Sequence, residues 1–402
     1  MGRKLKWFAG IIGGLAIAAG VTAYAKRDDL TRLMNVNALF DEGRIIGNFS
    51  NMQNLFFNVV VPKSGETYVW PQTKRAIADS YQWQGENKSV ADWLTKTSTT
   101  SLVVIKDGDL VFEDYYLGTK AEDRRISWSV AKSIMSALFG IAVTDGRIKS
   151  LDDTVDSYVP LLKGSAYEGV SIRNVLNMAS GISFNEDYLD FFSDINRMGR
   201  VLALGGSMDE FAAGLKKRDR PAGETWQYVS IDTHVASMVL RAATGMPLQQ
   251  FMAENLWSKI GAEDDAVYLT DSEGNAFALG GLNLRSRDYA RFGQMMLGFG
   301  AFNGQQIIPA EWAARSVEPT APVKGDYPAG YGYQWWVPKD AFGEFNALGI
   351  YGQYIYINRP ARLVIVKTSA DRNFENDNAG GALIEAETVE MFRAIAAGLK
   401  AG

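Results

Sequence analysis

Cysteine is absent from the 402-residue chain, and histidine occurs once, as His234. Disulfides, thiolate catalysis and cysteine-type zinc sites are therefore excluded, and a single imidazole removes most His-rich metal centres. A serine–histidine mechanism would have to use His234. Positive charge is also short where a polyanion would need it. Taking Arg3, Lys4 and Lys6 from the formal −5 leaves −8 on residues 26–402. A body this acidic argues against nucleic acid as a partner. There is no internal repeat and no low-complexity tract. With 47% apolar and 22% charged residues, the composition is that of an ordinary globular chain. Its length suffices for one large domain or two interleaved subdomains.

The N-terminus stands apart. Nineteen uncharged residues, Trp7 to Ala25, follow the three cations and end in Ala23-Tyr24-Ala25. That is a basic n-region, a long apolar region and an A-x-A-like cleavage site, and the run is also long enough to span a bilayer. Residues 1–25 are predicted to be a signal peptide or an N-terminal membrane anchor. Either would place the remainder in the periplasm or outside the cell, with the membrane touched only through this segment.

What the chain does have is one S-x-x-K, Ser129-Val130-Ala131-Lys132, followed by a helix-competent apolar run through Gly140. A helix starting near Ser129 sets the hydroxyl and the ammonium on one face, with backbone N–H groups aimed at any growing negative charge. Taken alone, the motif is equally what chance supplies, and Ser129 would then be a helix cap.

The rest of the pattern organises around it. Residues 26–95, interrupted by Asn51, Asn54, Asn58 and Pro62, read as an irregular N-terminal wrap. Leu102-Val103-Val104-Ile105, Lys106-Asp107-Gly108-Asp109 and Leu110-Val111-Phe112 predict a hairpin with an Asp-Gly turn. Helical signals follow: a helix from Ser171 through Met178, another from Ile231 to Thr244 closed by Gly245, and a third capped by Ser286. Strands are predicted at Tyr331 to Val337, Tyr354 to Asn358 and Leu363 to Thr368, then a final helix from Ala382 to Leu399. Late strands and early hairpin are expected to share one antiparallel sheet.

Three pieces fall in a telling order: Ser129-Val130-Ala131-Lys132, then Tyr228-Val229-Ser230, then Ala347-Leu348-Gly349-Ile350-Tyr351-Gly352-Gln353. The order resembles the penicillin-recognising serine hydrolases. Within them the chain is most similar to the class C β-lactamase branch, and there to 6-aminohexanoate-dimer hydrolases and related esterases. Met178-Ala179-Ser180-Gly181, Gly280-Gly281-Leu282 and Tyr331-Gly332-Tyr333-Gln334-Trp335-Trp336 belong to the same likeness, which runs from about Leu102 to Ser369.

The resemblance implies an α/β (α+β) fold of the β-lactamase-like kind. An antiparallel sheet is flanked by helices, and a mostly helical subdomain, about 140–275, is inserted in a hydrolase domain over 96–402. It implies Ser129 as nucleophile, Lys132 favouring the ionised form of a neighbouring phenol, and Tyr228 as general base and acid. It places the third-motif glycine at Gly349, so the N–H groups of Ser129 and Ile350 would form the oxyanion hole. Tyr188 matches a loop tyrosine that contacts the scissile amide in the dimer hydrolases, with an ordinary surface-loop tyrosine as the alternative. Ser230, together with Gly349, would bind substrate.

The departures are informative. Ser230 stands where the β-lactamases carry asparagine, and Ala347-Leu348 where they carry Lys-Thr. Two literal matches are decoys. Tyr356-Ile357-Asn358 alternates like a strand, and Lys367-Thr368-Ser369 lacks the glycine. His234 lies about 240° around a helix from Tyr228 and should face away from it. Trp335-Trp336 suits core or pocket wall.

The expectation is a serine hydrolase of a small-molecule amide or ester, with no metal and no cofactor. The rivals are a β-lactamase or D-alanyl-D-alanine carboxypeptidase and a catalytically silent binder of peptidoglycan fragments. Oligomeric state is not legible.

Overall fold

A computed structural model of the chain describes residues 27–325, 327–341, 343–374 and 381–400. The expected leader or anchor at 1–25 lies outside them. Among the described residues no helix is long and apolar enough to cross a membrane.

The chain builds a seven-stranded antiparallel sheet. Its strands are β1 (Thr99–Lys106), β2 (Asp109–Tyr115), β3 (Ala329–Tyr331), β4 (Trp336–Pro338), β5 (Glu344–Gly349), β6 (Gln353–Asn358) and β7 (Leu363–Ser369). They run in the order β3-β4-β5-β6-β7-β1-β2. The early hairpin thus joins the late strands through β7 and β1, whose register pairs Val366 with Val103 and Val364 with Ile105. Asp107 and Gly108 both have positive φ, 55° and 91°, as a two-residue hairpin turn requires.

The central strands are apolar on both faces because both are covered. Five helices frame the sheet and the cleft beside it: α1 (Val130–Thr144), α2 (Asp194–Ala203), α3 (Ser230–Thr244), α4 (Ser286–Leu297) and α5 (Ala382–Lys400). On one face α4 lies so close that a Cβ at Gly293 would come within 2.5 Å of Val364 Cγ1. On the other, Phe392 of α5 packs on Tyr354 and Tyr356 of β6. The α1 helix is buried along nearly its whole length, as its apolar run demands, and it packs against α3 and β5.

Three expectations change in detail. Tyr331 to Val337 is not one strand but a hairpin, β3 and β4, because Gln334 turns the chain at φ 66°. The helix begun by Ser171, whose hydroxyl accepts from Asn174 N–H, ends at Leu176 because Met178 adopts φ 53°. The N-terminal wrap is also more regular than its asparagines suggest. It holds helices at Arg27–Asn37, Ile45–Ser50 and Val90–Lys96, and strand Asn58–Val61 pairs with Ala266–Leu269. That pairing belongs to a second, four-stranded sheet with Leu282–Arg285 and Arg124–Ile126. The last of these strands delivers the chain to Ser127.

Candidate active site

Strand Arg124–Ile126 ends at Ser127, whose N–H donates to Leu282 O at 2.7 Å, and the chain then turns sharply through Trp128 at φ 42°. A left-handed tryptophan is strained. Here it reverses the chain so that Ser129 becomes the first residue of the turn entering α1. Ser129 makes no side-chain cap hydrogen bond. Its hydroxyl instead lies 2.8 Å from Lys132 Nζ, so the cap alternative falls. Lys132 is 1% exposed and also donates to Leu279 O at 2.9 Å. Burial pushes its pKa down to about 7, against the opposing pull of the Glu186 carboxylate.

Tyr228 belongs to the same site. It lines the cleft beside Ser129, stacks on Trp336 with ring centroids 5.5 Å apart, and carries the Lys132 ammonium nitrogen 5.2 Å from its own ring centre. Burial raises its phenol, and the Glu186 charge raises it further. Between them the sequence motifs bring Ser129, Lys132 and Tyr228 to one point.

Both backbone donors assigned to the oxyanion hole line the cleft at Ser129, and neither is engaged by the backbone hydrogen bonds of the surrounding turns. Gly349 explains how β5 comes so near. A Cβ there would stand 2.6 Å from Ser127 O. Each donor also adjoins a left-handed aromatic residue, Trp128 before Ser129 and Tyr351 (φ 63°) after Ile350. The two rings lie 5.8 Å apart, and both pack on Phe40 and Phe49. The N-terminal segment, in which the sequence shows no chemistry, thus clamps the two turns that hold the donors. From behind, Gln353 Nε2 donates to Ile350 O (3.4 Å), Tyr351 O (3.2 Å) and Ser369 O (2.9 Å).

The substrate-binding candidates divide. Gly349 and Tyr188 line the cleft. Ser230 lines the adjoining cavity instead, and both its N–H, at 3.0 Å, and its hydroxyl donate to the Glu186 carboxylate. Tyr188 OH donates to the same carboxylate at 2.8 Å. Glu186 is the residue that motifs do not reveal. Burial raises its pKa above the usual carboxylate range, while Lys132 and the Ser230 donors pull it back. The only signal for it in the sequence is an acid two residues before the loop tyrosine.

The decoys fall away from the cleft. His234 is fully buried, with Nε2 2.7 Å from Asp209 Oδ1. Lys367 is buried in β7 and donates to Ser369 Oγ at 2.6 Å. Asn358 donates to Tyr356 OH at 3.0 Å. Trp335 is core, stacked on Phe292, whereas Trp336 forms cleft wall. Among the described residues no group of three or more His, Asp or Glu side chains is placed to hold a metal ion.

Comparison with known proteins agrees with this geometry. Residues 88–390 match the family model described as Beta-lactamase. The chain is 32% identical over 292 residues to the 6-aminohexanoate-dimer hydrolase of Paenarthrobacter ureafaciens, covering 69% of this chain and 74% of that one. A Bacillus anthracis structure assigned as a 6-aminohexanoate-dimer hydrolase superposes with TM-score 0.78 at 25% identity, over 90% of this chain and 96% of that one. A Streptomyces D-stereospecific amidohydrolase shares the fold, with TM-score 0.56 at 19% identity over 75% of this chain and 98% of that one.

Proposed function

The chain belongs to the β-lactamase family and is a serine hydrolase of that superfamily, and from that premise we propose that it cleaves small amides or esters through an acyl-enzyme on Ser129. The observation that carries this reading is the convergence of Lys132 Nζ and the Tyr228 phenol on the Ser129 hydroxyl.

The proton path depends on which group is the better base. The family resemblance points to a Tyr228 phenolate, but burial raises that phenol and lowers Lys132 to about 7. Near neutral pH the amine is therefore the acceptor. Ser129 Oγ attacks the carbonyl carbon as its proton passes to Lys132 Nζ. The resulting oxyanion sits between the N–H groups of Ser129 and Ile350. Collapse breaks the C–N or C–O bond. Tyr228 gives its proton to the departing atom and regains one from the Lys132 ammonium. Water then repeats the sequence on the ester and frees the acid. The carboxylate of Glu186 holds Ser230 and Tyr188 and lends the ammonium a counter-charge. The basic, apolar N-terminus supports an activity outside the cytoplasmic membrane, as a secreted or tethered enzyme.

The third motif argues against penicillins. Ala347 is buried and Leu348 lines the cleft. Among the described residues no lysine or arginine lines the cleft where a β-lactam carboxylate would sit, and burying that charge without a partner costs roughly 1–3 kcal/mol or more. Nitrocefin, p-nitrophenyl butyrate and the linear 6-aminohexanoate dimer should be measured side by side. We expect nitrocefin to fall at least about tenfold below the best of the others in kcat/KM. Nitrocefin on top would overturn the amide and ester assignment in favour of a β-lactamase.

Glu186→Gln tests the pH logic. Activity needs neutral Lys132, so kcat/KM rises as pH increases through about 7. The Glu186 charge raises the Lys132 pKa, and its removal moves this acid limb to lower pH. A limb that stays in place or moves up would show that the two groups are not coupled.

A further inference from the structure

Two cavities meet at Ser129. One, of about 350 Å³, is walled by Tyr228, Trp336, Leu348, Glu186 and Glu385. The other, of about 380 Å³, runs toward the N-terminal helices between Leu39, Phe40, Phe56, Met198, Phe277 and Leu279. Ser129, Tyr188 and Ile350 belong to both, but Tyr228 belongs only to the first.

That asymmetry orients the substrate. The group that protonates the leaving atom must stand beside it. The leaving amine or alcohol therefore lies in the Tyr228 cavity, which of these two leaves the second to the acyl chain. This second cavity is mainly apolar, with Asn37, Ser129, Asn196, Arg200 and Ser230 as its polar wall, and among the described residues no aspartate or glutamate lines it. The cation on its wall, Arg200, lies 4.2 Å over the Phe191 ring and donates to Phe191 O at 2.7 Å. An ammonium carried on the acyl chain would meet no carboxylate on the wall, Glu186 being engaged by Ser230 and Tyr188, and would face a guanidinium. Leu189 and Phe191 continue the apolar wall outward and are 78% and 61% exposed. Apolar surface left open at the mouth of a catalytic cleft favours a ligand that covers it.

We infer that the substrate's acyl half is an uncharged aliphatic or aryl chain of several carbons, seated between α2 and the N-terminal helices. The enzyme thereby selects against an ω-amino acyl chain. The inference rests on the acyl-enzyme reading and deepens it. It also separates this chain from the 6-aminohexanoate-dimer hydrolase it resembles, whose substrate carries an aminohexanoyl group.

The experiment is a p-nitrophenyl ester series from acetate to octanoate, with p-nitrophenyl 6-aminohexanoate matched against hexanoate at pH 7, where the free amine is charged. Burial of one methylene supports about a fourfold gain. We therefore expect kcat/KM to climb at least about tenfold from acetate to hexanoate. The 6-aminohexanoate ester should fall at least about tenfold below hexanoate. Gly199 of α2 lines the cavity, and a Cβ there meets nothing within 4 Å. Gly199→Phe should fold normally and collapse the octanoate-to-acetate ratio. A flat or falling series, with turnover still dependent on Ser129, would overturn the acyl-chain assignment alone. Equal rates for hexanoate and its ω-amino analogue would do the same. An enzyme that turns over none of the esters, and amides no better, would overturn the hydrolase mechanism and the assignment with it.

Discussion

Ser129→Ala is expected to lower kcat on any substrate by on the order of 10⁴-fold or more, because a covalent mechanism has no other nucleophile to use. The fold should not notice. The hydroxyl caps no helix, and its side-chain partner is Lys132, so the change removes no backbone hydrogen bond. Thermal melts of the two proteins should differ by no more than about 2 °C. Turnover that survived near the wild-type rate, in a protein with an unchanged melt, would remove the acyl-enzyme from the account. A lost rate accompanied by a collapsed melt would mean instead that Ser129 is structural.

The next largest losses should come from the two groups that move the proton. Tyr228→Phe keeps the ring that stacks on Trp336 and deletes only the hydroxyl that faces the cleft at Ser129. Lys132→Ala deletes the amine 2.8 Å from the nucleophile but also strands Leu279 O. Each should cost at least about 100-fold in kcat, the usual range for general acid–base help. Lys132→Ala should in addition lower stability. Buried Lys132 is neutral more readily when folded than when unfolded. The wild-type amine thus costs the fold most below about pH 7, where it is charged in both states, and least above its ordinary value of 10.5. Stability lost on removing it should accordingly be greater at high pH than at low. His234→Gln is the control. His234 bonds to Asp209, which Arg241 also holds, and neither His234 nor Asp209 lines the cleft. The folded variant should keep its rate within about threefold. A collapse there, with Tyr228→Phe harmless, would assign the chemistry to a serine–histidine pair.

How much of the molecule is legible in its sequence depends on whether residues act locally. The S-x-x-K helix, the Asp107-Gly108 hairpin and the alternating strand runs declare themselves over three to ten residues, because helix and strand periods are local facts. The Tyr228 and Gly349 positions are readable as well, through motif order. Glu186 is not. Its meaning lies in Ser230 and Lys132, 44 and 54 residues away along the chain, and no spacing rule connects them. Phe40 and Phe49 are invisible for the same reason. They sit among short helices broken by turns, and only the fold sets them against Trp128 and Tyr351. Residues 331 to 337 mislead through composition, since aromatic residues suit a strand and nothing local announces a left-handed Gln334. The protonation roles need burial, which three-dimensional packing alone supplies. Motif order implies that a phenol and an amine are present, and in the proposed mechanism the desolvation of each decides which one accepts the proton.

Acylation of Ser129 is open to direct test by covalent labelling. The purified enzyme should be treated with a fluorophosphonate, its intact mass recorded, and the modified peptide sequenced by tandem mass spectrometry, beside Ser129→Ala. One adduct per chain is expected, on Ser129, with activity lost in proportion and no adduct on the variant. A protein that stays unlabelled while turning over substrate, or that carries the adduct on another residue, would contradict it.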